Sequence, residues 1–165
     1  MATAAKSAKE AVARYAIARE LGASAAEVFE DFSDPHVLVA LGTAQSVLVR
    51  SGPDQMQDGT AVLTIEVKEQ ILICGCLSYM VTVPATMTID PANLTIHFHS
   101  NSSGTEVQHL YTFSDASAGR CTAVDTAEIL SAPPCLAGYV TSIARQAHER
   151  TMSALAEKYS SSRVG

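Results

Sequence analysis

A histidine, a tyrosine and an aspartate in the second half of the chain form a candidate acid/base group. His109 and Tyr111 have the same parity within the segment TEVQHLYTF, and Asp125 lies in RCTAVDTAEIL. A carboxylate beside an imidazole fixes the imidazole tautomer and raises its basicity, and histidine titrates near neutral pH. A phenol close by can donate a hydrogen bond to an oxyanion. We therefore expect these three residues to be catalytic if the fold brings them together.

The alternation of side chains along a strand indicates which residues share a face. Val107 and Phe113 in TEVQHLYTF have the same parity as His109 and Tyr111. A hairpin that pairs Phe98 with Val107 would place Ile96 opposite His109 on the inner face. His109 and Tyr111 are therefore expected to be polar residues of a mainly apolar interior.

The last predicted strand has two plausible inner faces. If the face with Cys121 and Ala123 points inward and Phe113 pairs with Cys121, Asp125 lies opposite His109. This register predicts a histidine–aspartate couple. The couple has two interpretations, a catalytic pair or a structural hydrogen bond.

Other inward-facing residues are candidates for ligand binding. Arg19 shares the parity of Ile17 and Leu21, so its guanidinium either enters the interior or extends to solvent at the rim. Tyr79 has the parity of the apolar residues that follow it and offers a phenol. The other predicted ligand-binding residues are Val81, Ile96, Phe98, Phe113, Ala123 and Ile143.

The remaining histidines and the cysteines predict no metal site. His97 and His99 have outward parity, and His148 borders the apolar stripe of the last helix, where we interpret it as a helix-surface residue. Cys74 and Cys76 lack a second pair of ligands at metal-binding spacing. We expect all four cysteines to be buried free thiols and the protein to use no cofactor.

Local signals predict the elements that position these residues. A first strand spans 12–22, and Ser24-Ala-Ala-Glu27 is a capping box for a helix over 25–32. Asp34-Pro35 predicts a second short helix that ends near Gly42. Six further strands are predicted over 45–51, 60–68, 77–89, 93–100, 105–113 and 120–130. Apolar residues at helical spacing after Pro134 then predict one long amphipathic helix.

Length and composition favour one small domain. The chain has 165 residues, of which 47% are hydrophobic and 17% charged. We expect a single domain over 12–160, with flexible tails over 1–11 and 161–165. The net charge of -6 argues against a surface that neutralises phosphates, so no nucleic-acid partner is expected.

The distribution of apolar residues argues against a membrane protein. The N-terminal segment has no continuous apolar stretch of a secretory signal. The uncharged stretch 70–89 alternates with the two-residue period of a strand, and we interpret it as a loop followed by a strand. A cytoplasmic protein without membrane insertion, either a monomer or a homodimer, is therefore expected.

Three segments resemble the START-like helix-grip superfamily, also called SRPBCC. ARELGASAAEVFEDFSDP is similar to the opening strand, turn and helix of that superfamily. TIDPANLTIHFHS is similar to its central hairpin, and PPCLAGYVTSIARQAHERTMSALAEKY to its closing helix. The resemblance covers about residues 12–160. It implies an α+β fold in which a seven-stranded curved antiparallel sheet surrounds a long C-terminal helix, with two short helices after strand one and an internal cavity.

Within that superfamily, the sequence resembles the polyketide cyclase/dehydrase branch. This resemblance implies a cofactor-independent enzyme that cyclises and dehydrates a hydrophobic, carbonyl-bearing molecule. His109 would then move the proton, and Tyr111, Tyr79 or Arg19 would stabilise the oxyanion. The alternatives are a non-catalytic carrier or sensor of an apolar ligand and a protein-interaction module.

Overall fold

A computed structural model describes residues 10–73, 77–117 and 119–160. Within these ranges the chain forms seven strands and three helices. They are β1 (Ala13–Leu21), α1 (Ala25–Phe32), α2 (Val37–Ala40), β2 (Ser46–Gln55), β3 (Ala61–Ile73), β4 (Leu77–Asp90), β5 (Thr95–Ser102), β6 (Thr105–Ser117), β7 (Arg120–Ser131) and α3 (Ala137–Ser160). The predicted tails at 1–9 and 161–165, and Cys74 and Cys76, lie outside the described residues.

The strands form one curved antiparallel sheet in the order β1-β7-β6-β5-β4-β3-β2. Strands joined by hairpins are neighbours, and the first strand pairs with the last. The long helix α3 packs against β1 and β7. The predicted architecture, with two short helices between β1 and β2, is therefore confirmed.

The two short helices follow the predicted local signals with one shift. Ser24 Oγ accepts a hydrogen bond from the Glu27 backbone N–H at 3.3 Å and caps α1. The Asp34 carboxylate accepts from the backbone N–H of His36, two residues on, at 2.9 Å. The chain therefore makes a turn at Asp34, and α2 begins at Val37 rather than at Pro35.

Two strand registers differ by two residues from the prediction. Phe98 pairs with His109, and β5 extends to Ser102, because the β5–β6 hairpin is a two-residue turn at Ser103 and Gly104. Both turn residues have positive φ angles, 53° and 79°, as a type I′ turn requires. The prediction assumed a longer turn.

The β6–β7 register shows the same difference. Phe113 pairs with Ala123 and Tyr111 with Asp125, because β6 continues to Ser117 and shortens the connection to Arg120. A shift of two residues keeps each side chain on its predicted face. Residues 70–73, which we predicted as a loop, belong to β3.

An aromatic cluster fills the interior beneath α1. The Phe32 ring lies 4.6 Å from the Tyr111 ring and 5.8 Å from the Phe113 ring, between centroids. The rings of Phe29 and Phe113 are 6.4 Å apart. This cluster packs one end of the interior densely, so the space for a ligand is at the other end.

Candidate functional site

A cavity of about 80 Å³ lies between the sheet and α3. Its size suits a small molecule or the reacting end of a larger one, since drug-sized ligands occupy pockets of roughly 300 Å³ or more. Its lining is partly apolar and partly polar. The lining residues are Leu38, Thr43, Val67, Glu69, Val83, Ala85, Phe98, Ser100, His109, Tyr111, His148 and Thr151.

Asp125 lies behind two of the lining histidines and is completely buried. Its Oδ1 atom is 3.5 Å from His109 Nδ1, and its Oδ2 atom is 2.8 Å from His148 Nδ1. Within the described part of the chain, these two nitrogens and both carboxylate oxygens have no hydrogen-bond partner of good geometry. The carboxylate and the two imidazoles therefore attract each other at short distance while their hydrogen-bonding capacity stays unused.

Three elements bring this group together. Adjacent strands carry Tyr111 and Asp125 as direct partners, and His109 is two residues before Tyr111 on the same face. His148 comes from α3, one turn before Thr151 and Met152 in the buried stripe that continues to Leu155. The sheet thus supplies the aspartate, one histidine and the tyrosine, and the helix supplies the second histidine.

Aromatic packing fixes the orientation of both imidazoles. The His109 ring stacks on Phe98, with centroids 4.9 Å apart and planes 13° apart. The His148 ring lies 4.4 Å from the His109 ring and 5.6 Å from the ring of Tyr15. Such packing holds the two nitrogen-bearing rings in place before any ligand binds.

Burial and mutual proximity set the charges of the group. Burial, together with the neighbouring His148, lowers the pKa of His109 to about 4, although Asp125 acts in the opposite sense. The His109 imidazole is therefore uncharged at neutral pH. Burial opposes ionisation of Asp125, but its contacts with the two imidazoles hold the pKa of this carboxyl well below its usual range.

Burial also shifts the pKa values of Tyr111 and Glu69, two further lining residues of the cavity. Burial and the nearby Asp125 raise the pKa of Tyr111 well above its usual value, so the phenol keeps its proton. Burial also raises the pKa of Glu69. The cavity thus combines one buried anion with a neutral imidazole and a phenol that can donate a hydrogen bond.

Comparison with known proteins identifies the fold. No family model and no curated protein matches the chain. A Zhui aromatase/cyclase from Streptomyces sp. R1128 is similar with a TM-score of 0.72 and 12% identity, over 90% of this chain and 93% of that one. A START superfamily protein from Mycobacterium smegmatis is similar with a TM-score of 0.67 and 13% identity, over 90% and 97% of the two chains. The chain has the helix-grip fold.

A plant protein of the same shape extends this comparison. Norcoclaurine synthase from Thalictrum flavum, solved in complex with dopamine and hydroxybenzaldehyde, is similar with a TM-score of 0.62 and 12% identity. The similarity covers 89% of this chain and 87% of that one. Identities this low establish the helix-grip fold and no particular activity. Among the described residues, no helix is both long and apolar enough to cross a membrane.

The helix-grip fold brings together part of the predicted set. His109, Tyr111 and Asp125 converge, and Phe98 lines the cavity beside them. Ile96, Phe113 and Ala123 are buried and belong to the packed core rather than to the lining residues. Val81 and Ile143 are half-buried and also lie outside the lining.

Two predicted ligand-binding residues lie outside the cavity. Arg19 directs its guanidinium to the carbonyl oxygen of Ala18, at 2.8 Å, instead of into the cavity. Tyr79 is 60% exposed, and Leu77 and Met80 beside it are exposed as well. Side chains on both faces of the strand are exposed at this end of β4, so alternation along the strand does not predict burial there.

Two other predictions from the pattern also need correction. His148 is half-buried and contacts Asp125, rather than lying on the helix surface. Its position one turn before buried residues of α3 was the available signal. Cys121 is a buried free thiol as expected, whereas Cys135, predicted to be buried, is exposed.

Glu69 was missed by sequence reasoning, although a signal for it existed. It follows Leu63, Ile65 and Val67 at two-residue spacing, and these three are buried. The same alternation that identified His109 therefore also places a carboxyl on the cavity side of β3.

Proposed function

We propose that this helix-grip protein binds a hydrophobic, carbonyl-bearing small molecule in the cavity and transfers a proton at the carbon next to the carbonyl, which leads to cyclisation and loss of water. The observation that carries the proposal is the fully buried Asp125 behind two imidazoles that line the cavity. A carboxylate at one imidazole nitrogen leaves the other nitrogen for the substrate. Two similar structures are an aromatase/cyclase and a norcoclaurine synthase, so enzymes are known among proteins of this fold.

His109 acts as the base in this proposal. In this proposal the neutral ring carries its proton on Nδ1, the nitrogen that lies 3.5 Å from Asp125 Oδ1, and the Nε2 lone pair is free. Nε2 takes the proton from the carbon next to the substrate carbonyl, and the electron pair of that C–H bond forms an enolate. The phenol of Tyr111 donates a hydrogen bond to the enolate oxygen.

Cyclisation follows from the enolate without a cofactor. The enolate carbon attacks a second carbonyl carbon of the same molecule, and a new C–C bond forms. The protonated His109 returns its proton to the alkoxide that results. His109 then takes a second proton from the former enolate carbon and delivers it to the new hydroxyl group. The C–O bond breaks, a C=C bond forms, and water leaves.

The size of the cavity limits what it encloses. About 80 Å³ holds the reacting carbonyls but little more. A second pocket, of about 200 Å³, shares Thr43 with the cavity and is also lined by Gln70 and Arg150. The rest of the substrate would extend into this pocket.

Deuterium exchange tests the first chemical step. Small aryl ketones, beginning with acetophenone, are incubated in D₂O with the protein and EDTA, and loss of the α-proton signal is followed by NMR. We expect exchange above the buffer rate, reduced by about 100-fold or more in His109→Ala, while the affinity for the ketone changes only a few-fold.

A matched control uses the other strand histidine that pairs with a carboxylate. His99 Nε2 lies 3.1 Å from Glu106 Oε1. His109 pairs with Phe98, so the next residue, His99, points to the opposite face of the sheet. His99→Ala should keep the wild-type exchange rate. Unchanged exchange in His109→Ala would contradict the role of His109, and bound ketone without exchange would favour a carrier.

A further inference from the structure

The buried group of His109, Asp125 and His148 has the composition of a metal site. One donor atom from each residue lies within 4.8 Å of the others. Two imidazole nitrogens and a carboxylate oxygen form a set that binds zinc and other divalent first-row transition metals. The sequence does not reveal this set, because His148 is separated from the other two residues and comes from the helix.

The distances agree with a single ion between the three side chains. Ligand bonds of about 2.0–2.2 Å place neighbouring donors of one ion roughly 3 to 3.5 Å apart. Asp125 Oδ1 is 3.5 Å from His109 Nδ1, at the upper end of this range, and Asp125 Oδ2 is 2.8 Å from His148 Nδ1, just below it. The three side chains would have to adjust for one ion to contact all of them.

The unused hydrogen-bonding capacity of the group is the second, independent observation. Both oxygens of the fully buried Asp125, and the Nδ1 atoms of both histidines, lack a hydrogen-bond partner of good geometry among the described residues. Buried polar atoms of this kind are rare in proteins, and a bound ion is one of the features that account for them. A cation would satisfy all of them at once and would neutralise the buried carboxylate.

We propose that His109, Asp125 and His148 bind a divalent transition-metal ion, with zinc as the reference, through the two Nδ1 atoms and the carboxylate. The cavity lies against both histidines and provides the path of entry. Metal binding itself is independent of the proposed function. Its consequence for activity rests on that function: coordination through Nδ1 moves the ring proton of His109 to Nε2, and the base is lost. Zinc is therefore a reversible inhibitor of the proton transfer.

The test is calorimetric titration of Zn²⁺ into the metal-free protein, in a Cys74→Ser/Cys76→Ser/Cys135→Ser background that removes competing thiolates. We expect one ion per chain, with affinity reduced by about 100-fold or more in Asp125→Asn and in His148→Gln. His99→Gln, which alters a histidine–carboxylate pair outside the group, should bind zinc as the parent does. Mg²⁺ should give no heat at the same concentrations, because it prefers oxygen ligands.

Folding defects are separated from loss of ligands by a second measurement. Zn²⁺ should raise the unfolding temperature of the parent and leave that of a folded Asp125→Asn or His148→Gln variant unchanged. Co²⁺ should give a visible spectrum in the parent that both variants lose. Equal affinity in the parent and in either folded variant, or the absence of one-to-one binding, would overturn the proposal.

Activity distinguishes this proposal from the proposed function. If Zn²⁺ binds but the metal-free protein exchanges no ketone proton, the metal site stands and the catalytic proposal fails. If exchange occurs and Zn²⁺ neither binds nor inhibits, the metal site fails and the catalytic proposal stands.

Discussion

Two aspartates contact the long helix α3, and their surroundings are opposite. Asp31, on α1, is exposed and accepts hydrogen bonds from Lys158 at 2.7 Å and from the phenol of Tyr159. Asp125, on β7, is fully buried and faces two imidazoles without good hydrogen-bond geometry. The surface carboxylate accepts well-formed hydrogen bonds, and the interior carboxylate lacks them.

We interpret Asp31 as a structural contact and Asp125 as part of the proposed site. The contacts of Asp31 connect α1 to the end of α3 and contribute to stability without a ligand. Burial removes the hydration of the Asp125 carboxylate, and its contacts with the two imidazoles must compensate for that loss. Such a group is expected where a protein keeps polar atoms available for a substrate or an ion.

The largest expected effect comes from separating Asp125 from its nearest partner. His148→Leu should reduce the free energy of unfolding of the metal-free protein by about 3 kcal/mol, since it removes the nearer of the two imidazoles that contact the buried charge. Adding Asp125→Asn, which removes the charge and keeps the shape, should restore most of that loss. Urea unfolding of both single variants and the double variant measures the coupling.

The outer pair of His99 and Glu106 supplies the control for this cycle. His99→Leu should change the free energy of unfolding by less than about 1 kcal/mol, because the pair is partly exposed. Strictly additive effects of His148→Leu and Asp125→Asn would mean that His148 does not hold the buried charge.

A smaller effect is expected where β1 meets the end of α3. A Cβ atom at Gly22 would lie 2.5 Å from the Tyr159 carbonyl oxygen. Gly22→Ala must therefore displace the backbone at Tyr159, whose phenol donates a hydrogen bond to Asp31. We expect a loss of about 1 to 3 kcal/mol in unfolding free energy, measured in urea. Gly138→Ala is the control, because a Cβ there meets nothing within 4 Å.

The Gly22 result also examines how firmly Asp31 is held. If Gly22→Ala were as stable as Gly138→Ala, the end of α3 would tolerate displacement. Asp31 would then contribute no fixed connection between the two helices.

Strand alternation explains why much of the site was predictable. His109, Tyr111 and Asp125 lie on their predicted face although both registers were wrong by two residues, because a two-residue shift conserves the face. The prediction fails for Tyr79, where the strand extends beyond the core and both faces are exposed.

Features that depend on helix rotation and side-chain packing were not predictable from the pattern. His148 borders the apolar stripe of α3, so its burial depends on how the helix is rotated against the sheet. The small size of the cavity follows from the rings of Phe32, Tyr111 and Phe113 filling the other end of the interior. Neither property has a periodic signature in the sequence.

The smallest expected effect concerns Asp31, which is partly exposed. Hydrogen bonds from Lys158 and Tyr159 lower the pKa of this carboxyl in the folded state. Ionised Asp31 therefore stabilises the fold at pH values above its unfolded pKa. This contribution to stability disappears as the pH falls through the folded pKa. Asp31→Asn should therefore reduce the free energy of unfolding by less than about 1 kcal/mol at pH 7. The difference from wild type should shrink as the pH falls below the usual carboxyl pKa of about 3.9 and should vanish below the folded pKa. In a Lys158→Met/Tyr159→Phe background, Asp31→Asn should have no effect at either pH, and a persistent difference there would show that other groups stabilise the carboxylate.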